Sequence, residues 1–222
     1  PGQDFIGTTL RYVKGEQLYT HWLYDYAGVN PQNGNALWRN EEGLLTENYG
    51  EARRINAGSP EPLWTGGFNT ELSWRGISLG IQLEARYGNK VLNQDRSLFE
   101  ADGSYGDSNI WKGAMNYWKK PGDTNVLPKP VYNNSSNSSA ISTRYLEDGS
   151  YLRIKDITLA YSLPSKWTKK ALMSGVRIYA SALNLYTFHN MNYWDPEHGT
   201  SGATIISYPM TRSMIVGVDI TF

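Results

Sequence analysis

The chain has 222 residues, with 21 basic and 21 acidic side chains and a net charge of zero, so nothing in its charge calls for nucleic acid or a strongly charged surface as partner. It contains no Cys, which removes disulfide scaffolds, thiolate metal sites and thiol catalysis. No run of 18 apolar residues offers a transmembrane helix, but a membrane β-barrel shows only alternation, and a mean hydropathy of -0.52 is compatible with its polar lumen and wet loops.

Aromatic residues make up 13% of the chain, including 16 Tyr and 8 Trp. Girdles at a membrane–water boundary and sugar-stacking surfaces both use such residues. No signal peptide opens the sequence, and Pro1 reads as an internal start, so a longer polypeptide is expected. Residues 1–15 are irregular, with a strand expected over Thr8–Val13. Glu16–Gly28 alternates and is expected as a further strand, with Leu18, Thr20, Trp22, Tyr24 and Tyr26 on one face. The connection from Val29 to Leu63 carries the turn signals Asn30-Pro31, Asn33-Gly34, Glu42-Gly43 and Gly58-Ser59-Pro60. Ala36–Arg39 and Gly43–Thr46 are predicted to form a small hairpin inside it.

The clearest unit is Thr65–Gly88. Phe68, Thr70, Leu72 and Trp74 alternate with polar residues, as do Ile77, Leu79, Ile81, Leu83, Ala85 and Tyr87 after Arg75-Gly76. A two-residue turn there pairs Trp74 with Ile77, Leu72 with Leu79 and Phe68 with Leu83, and so puts both apolar rows on one face. Residues 89–148 show no long strand pattern and include the low-complexity run NNSSNSS; a short helix is expected over Ser108–Trp118. Such a loop is unusual inside a compact soluble domain and ordinary outside a membrane barrel.

Alternation returns at Gly149–Pro164, where Ile157, Leu159, Tyr161 and Leu163 share a face. Leu152 and Ile154 lie on the wrong parity, which predicts either a bulge near Lys155–Asp156 or a segment already above the hydrocarbon. One helical turn is expected around Lys166–Leu172, followed by a strand over Val176–Phe188 whose phase blurs at Asn184-Leu185. The closing stretch MTRSMIVGVDITF alternates back from Phe222 through Ile220, Val218, Val216 and Met214, about the length a tilted strand needs to cross a bilayer. If strand direction alternates, the long connections fall on one side and the short ones on the other, the pattern of short periplasmic turns and long external loops.

At this point the stretches DGSYLRIKDITLAYSLP (148–164), VRIYASALNLYTF (176–188), WDPE (194–197) and the terminal MTRSMIVGVDITF resemble the C-terminal end of SusC/RagA-type TonB-dependent outer-membrane transporters. YAGVNPQNGNALW (26–38) and the 58–91 stretch are similar to the same family, and the resemblance covers about residues 16–222. It implies an all-β fold, an antiparallel transmembrane β-barrel segment of about six strands from a 22-stranded plugged barrel, with the whole of 1–222 one barrel part and plug and N-terminal parts absent. It further implies an outer-membrane location in a Gram-negative bacterium. The cargo would be an oligosaccharide or a peptide. The implied partners are a SusD-like lipoprotein acting as a lid, TonB through the missing N-terminal part, the preceding barrel strands, the barrel-assembly machinery and outer-membrane lipid. Six strands cannot close a barrel, so the chain is expected to need the missing strands beside it.

The residues themselves leave two functions open: a transporter segment, and a soluble carbohydrate-binding β-domain that stacks sugars on Tyr and Trp. The transporter puts Ile77–Tyr87 and Met214–Phe222 against lipid, whereas the binding domain must bury both rows. The loop aromatics Trp38, Trp111, Trp118, Tyr193 and Trp194 are candidate ligand or lid contacts, set against ordinary loop packing. Glu71, Gln82, Glu84, Arg86 and Asp219 are expected to line the lumen. Val216, Val218, Ile220 and Phe222 resemble the signal read by barrel-assembly machinery, set against a buried edge strand. Asp102 and Asp107 have spacing that could hold Ca²⁺, but the run lacks the ligand series of a calcium loop and reads as a turn. His21, His189 and His198 show no metal-ligand spacing. No nucleophile elbow, phosphate-binding glycine loop or facing carboxylate pair is visible, so no enzyme, cofactor or catalytic residue is expected.

Overall fold

The structure is a computed structural model that describes residues 5–105, 109–197, 203–204, 208 and 210–222. The chain forms two compact units: residues 62–88, 149–197 and 208–222, and residues 1–61, 89–148 and 198–207.

The first of these is built on one five-stranded antiparallel sheet. Its strands are β1 (Trp64–Trp74), β2 (Ile77–Tyr87), β3 (Tyr151–Ser162), β4 (Gly175–His189) and β5 (Ser213–Thr221), paired as an up-and-down meander. Arg75 and Gly76 connect β1 to β2 with φ of 48° and 87°, the two positive values a type I′ hairpin turn requires. Gly76 has a second reason to be glycine: a Cβ there would come within 2.8 Å of the Ser162 carbonyl oxygen. The Arg75 guanidinium lies 4.8 Å from the Trp74 ring centroid.

The expected register holds, with Trp74 opposite Ile77, Leu72 opposite Leu79 and Phe68 opposite Leu83. The same row continues through Leu159, Ala180 and Val216, and the next through Tyr161, Ile178 and Val218. These apolar rows are bare: Leu72 is 61% exposed, Leu159 52% and Val216 78%.

The parity conflict in β3 is resolved by a bulge between Ile154 and Asp156, seen against both neighbouring strands. Ile154 returns to the apolar face opposite Leu83 and Tyr186, and Leu152 opposite Ala85 and Phe188. In β4 the compensating irregularity spans Asn184-Leu185, with Asn184 at φ 50°. The connection after β3 contains a short helix, Ser165–Thr168, and a 3₁₀ turn, Lys169–Ala171, where a helical turn was expected.

In the second unit, Phe5–Ile6, Leu10–Tyr12, Thr20–Tyr24 and Arg54–Asn56 form one small sheet, and Tyr26–Val29, Ala36–Arg39 and Leu45–Thr46 another. The predicted 36–46 hairpin is present in the second of these. Lys90–Asn93 pairs antiparallel with Leu146–Asp148 and parallel with Ala203–Thr204. Leu23, Leu92 and Tyr145 form the buried core, flanked by Ala57, Ile141 and Leu146.

Two expectations are corrected in this unit. The 16–28 stretch is not a sixth strand of the large sheet; it breaks at Asp25, whose carboxylate accepts hydrogen bonds from Arg53 at 2.8 and 3.0 Å, and its alternation serves a small buried core. The helix expected over Ser108–Trp118 is a 3₁₀ turn, Lys112–Met115, and Ser108 lies outside the described residues. The α-helix of the region is instead Gln94–Glu100, capped by Asn93, whose Oδ1 accepts from the Arg96 N–H.

Candidate functional site

Opposite residues of an antiparallel pair share a face, so the register decides which side chains stand together. Thr65–Arg86, Gly67–Glu84, Asn69–Gln82 and Glu71–Gly80 are opposite pairs, as are Arg177–Asp219. The five expected lumen residues Glu71, Gln82, Glu84, Arg86 and Asp219 therefore occupy the polar face of the sheet. Arg177 and Asp219 approach to 3.3 Å. Thr158 and Ser181 donate to the two oxygens of Asp156 at 2.8 and 2.9 Å.

The bulge has a second effect on this face. It adds one inward residue, so Arg153, Lys155 and Asp156 all reach the polar side. Lys155 Nζ lies 3.1 Å from Glu84 and 3.0 Å from Glu197, and the Tyr151 hydroxyl donates to Glu84 at 2.8 Å. Arg153 has no exposed surface; it pairs with Asp195 and, at 2.7 Å, with Glu197. The WDPE stretch is thus tied to the polar face through both of its carboxylates, which leaves a charged buried arginine neutralised rather than stranded.

The expected loop aromatics do not form one site. Trp38 is wholly buried, edge-on to Tyr26 and Tyr49, and presents no face to a ligand. Trp118 donates its Nε1–H to the Pro31 carbonyl at 3.0 Å and covers Gly34, where a Cβ would come within 2.6 Å of the ring. Trp111 stacks on Phe99 with centroids 4.8 Å apart. Tyr193 and Trp194 line a cavity on the polar face beside Arg153, and Tyr193 is exposed.

Val216, Val218 and Ile220 lie on the bare apolar face of β5, followed by an exposed Phe222. Asp102, half of the expected calcium pair, is buried against the Arg144 guanidinium and accepts from Ser138 Oγ at 2.8 Å. Asp107 and His198 lie outside the described residues. Among the described residues no group of three or more His, Cys, Asp or Glu is placed to hold a metal.

Sequence reading missed a buried charge network. Arg96 reaches Glu100 and Glu147 at 2.7 Å each, and Arg144 reaches Glu100 at 3.5 Å as well as Asp102. Burial works against the Arg96 and Arg144 charges, but the hydrogen bonds and charges of these carboxylates outweigh it and hold both guanidiniums firmly protonated. Burial pushes the Tyr26 hydroxyl up to about 12, with Arg144 opposing, so it stays neutral. Apart from Arg96–Glu100, four residues apart on one helix, the partners lie far apart in sequence, and no local pattern signals them.

A sheet whose exposed face is apolar and whose other face is polar is the wall of a transmembrane β-barrel. The five strands here leave both lateral edges unpaired, so the barrel is not closed within this chain. No family model matches the chain. TonB-dependent receptor P3 of Formosa agariphila is 28% identical over 246 residues, covering 100% of this chain and 24% of that protein. TonB-dependent receptor P26 of the same organism is 27% identical, covering 100% of this chain and 22% of its own. A solved structure of the RagAB peptide transporter matches 92% of this chain and 23% of the solved chain, with a TM-score of 0.78 and 29% identity. The RagAB peptide importer in its open-open state gives a TM-score of 0.79 at 25% identity over 99% of this chain and 24% of the solved one. The chain spans about a quarter of the length of these relatives. With the two-faced sheet, these likenesses make the whole chain similar to a barrel portion of TonB-dependent receptors and of the RagAB peptide transporter.

Proposed function

We propose that the whole protein to which this chain belongs imports peptides or oligosaccharides across the outer membrane, drawing energy through TonB and working with a SusD-like surface lipoprotein. Within it, β1–β5 act as lipid-facing wall and lumen lining, and the chain does no chemistry of its own. The observation that carries this reading is the continuous exposed apolar face running across all five strands, backed by a charged and hydroxylated polar face. Peptide is the preferred cargo, because the solved relatives are described as a peptide transporter and importer. The soluble sugar-binding alternative needs the rows of β2 and β5 buried; the β5 row and the Ile77 and Tyr87 ends of the β2 row are exposed and the rest of the β2 row is only half-buried, which argues against it.

Glu71, Gln82, Glu84, Arg86 and Asp219 set the charge along the passage, and the terminal row ending in Phe222 is what the assembly machinery reads. Trp111 and Trp118 act as structural supports of a loop unit, through Phe99 and Pro31, rather than as stacking platforms. The test is uptake of labelled peptides and labelled oligosaccharides by cells with and without the full-length gene. The expected result is loss of peptide uptake on deletion, restored by the gene and abolished when the inner-membrane proton gradient is collapsed. Unchanged uptake of both cargo classes contradicts the reading.

A further inference from the structure

On the polar face of the sheet, at the end from which the connections 88–150 and 190–212 leave, lies a cavity of about 380 Å³. Arg153, Thr187 and His189 line it from the strands, and Trp194, Asp195 and Arg212 from the segments between β4 and β5. Two guanidiniums and one carboxylate, Asp195, line it; Arg153 is already met by Asp195 and, at 2.7 Å, by Glu197, so Arg212 is the cation left over. The Asp195 carboxylate is already engaged, accepting from Arg153 and, at 2.8 Å, from the Glu197 N–H. Among the described residues Arg212, Thr187 and His189 make no side-chain hydrogen bond or ion pair. Arg153 is without exposed surface, and its Nε is buried with no hydrogen-bond partner.

The spare Arg212 fork suits an acceptor with two oxygens, the geometry a guanidinium grips best. Tyr193 and Met210, 61% and 45% exposed, stand beside the donors as an apolar wall for whatever the acceptor is attached to. Among the described residues lining the cavity, a cationic group would meet Arg212 with no free carboxylate to hold it.

We propose that this cavity is a cargo subsite for a carboxylate, with Arg212 the gripping residue, Arg153 the buried charge behind it and Tyr193 and Met210 the wall. The proposal rests on the transport reading above. The carboxylate could be the C-terminus or an acidic side chain of a peptide, or the acid group of a uronic-acid oligosaccharide.

The experiment measures binding to the full-length transporter, purified in detergent, of four probes. These are a peptide of about ten neutral residues with a free C-terminal carboxylate, its C-terminal amide, an oligogalacturonate, and the same sugar reduced to its neutral form. Arg212→Gln should weaken the carboxylate probe of the true cargo class by roughly tenfold or more and leave its neutral counterpart unmoved. Arg212→Lys should recover part of the loss, since it restores charge without the fork. A difference confined to the peptide pair assigns the site to peptides, and one confined to the sugar pair to acidic glycans. Equal binding of acid and neutral probes, in the native protein and in Arg212→Gln, overturns the subsite while leaving transport intact. Failure of the native protein to bind or import any probe overturns both. Because Arg212 is exposed, loss of folding is not the expected cause of an effect; the unmoved neutral probe checks this directly.

Discussion

The unit that contains residues 89–148 closes on a core of its own, in which Trp38 and Tyr145 have no exposed surface and Leu23 has 1%, while side chains such as Leu44 and Tyr132 stay outside it. In the β1–β5 unit the large apolar side chains are bare, among them Trp74 at 67%, Met214 at 80% and Phe222 at 89%. The same contrast appears in the charges. Arg144 and Asp102 are buried together in the 89–148 unit, whereas the β1–β5 unit keeps its charges on one face and none among the rows of the other. The 89–148 unit encloses a core of its own; the β1–β5 unit leaves an apolar face bare and gathers its charges on the other. One chain thus carries two kinds of packing, and a substitution should act by different physics in each.

The largest effect is expected in the 89–148 unit. Arg144→Ala leaves Asp102 buried without its guanidinium and should destabilise that unit by about 3–5 kcal/mol. The effect is read as lost hydrogen-exchange protection around Tyr145 in the full transporter, with little change in the sheet. Equal loss in both units would blur the contrast.

Next comes the lipid face. Ile81→Arg places a charge in the middle of the apolar face, between Thr70 and Ile157, and should cost about 2–4 kcal/mol and lower outer-membrane levels. Ser78→Arg, three residues away on the polar face opposite Ser73 and Ala160, should leave those levels nearly unchanged. Deleting Phe222 should also lower insertion; unchanged surface levels would remove it as the assembly signal.

A pH effect follows, confined to the 89–148 unit. His21 is buried and donates Nε2–H to the Lys90 carbonyl at 3.2 Å; burial lowers its pKa below 6.5, with the Lys90 hydrogen bond opposing. The folded state therefore binds fewer protons than the unfolded one as pH falls below 6.5, so the His21 contribution is complete above that pH and declines beneath it. Hydrogen exchange at pH 7.5 and 5.5 should show the decline, and His21→Gln should flatten it.

The smallest effect is expected at Glu47, whose carboxylate accepts from Asn30, Asn33 and Asn35 at 2.6, 2.8 and 2.7 Å. These amides, Asn35 foremost, hold its pKa below 4.5, so their contribution is present above that pH and lost as pH falls through the lowered value. Glu47→Gln should cost about 1 kcal/mol or less, read as a small loss of protection in the 30–47 loop.

The sheet was readable from sequence because its faces differ in polarity at every second residue, and the Arg75-Gly76 turn fixes the register of β1 on β2. The β3 conflict was readable as well: the wrong parity of Leu152 and Ile154 is what an inserted residue at Lys155 produces. The same rule misled at 16–28, since a strand with a small buried core beside it also alternates, and nothing local distinguishes Leu23 facing Leu92 from Leu23 facing lipid. Trp38 could not be sorted from Tyr193 by residue type, because burial depends on partners elsewhere in the chain. The Arg96–Glu147 and Arg144–Asp102 pairs are separated by 51 and 42 positions, and Arg212 becomes interesting only once β4 and β5 bring it beside Arg153 and Tyr193.

The most direct measurement places single cysteines along β2 and β5 of the full transporter, carried on a cysteine-free background in native outer membranes. Fluorophores at Leu79, Ile81, Val216 and Val218 should be quenched by brominated lipid and spared by a water-soluble quencher. At Ser78, Gln82, Gly217 and Asp219 the order should reverse, giving a period of two along each strand. Uniform access to the aqueous quencher at all eight positions, or quenching by lipid at none, would contradict a sheet that faces lipid on one side and a polar passage on the other.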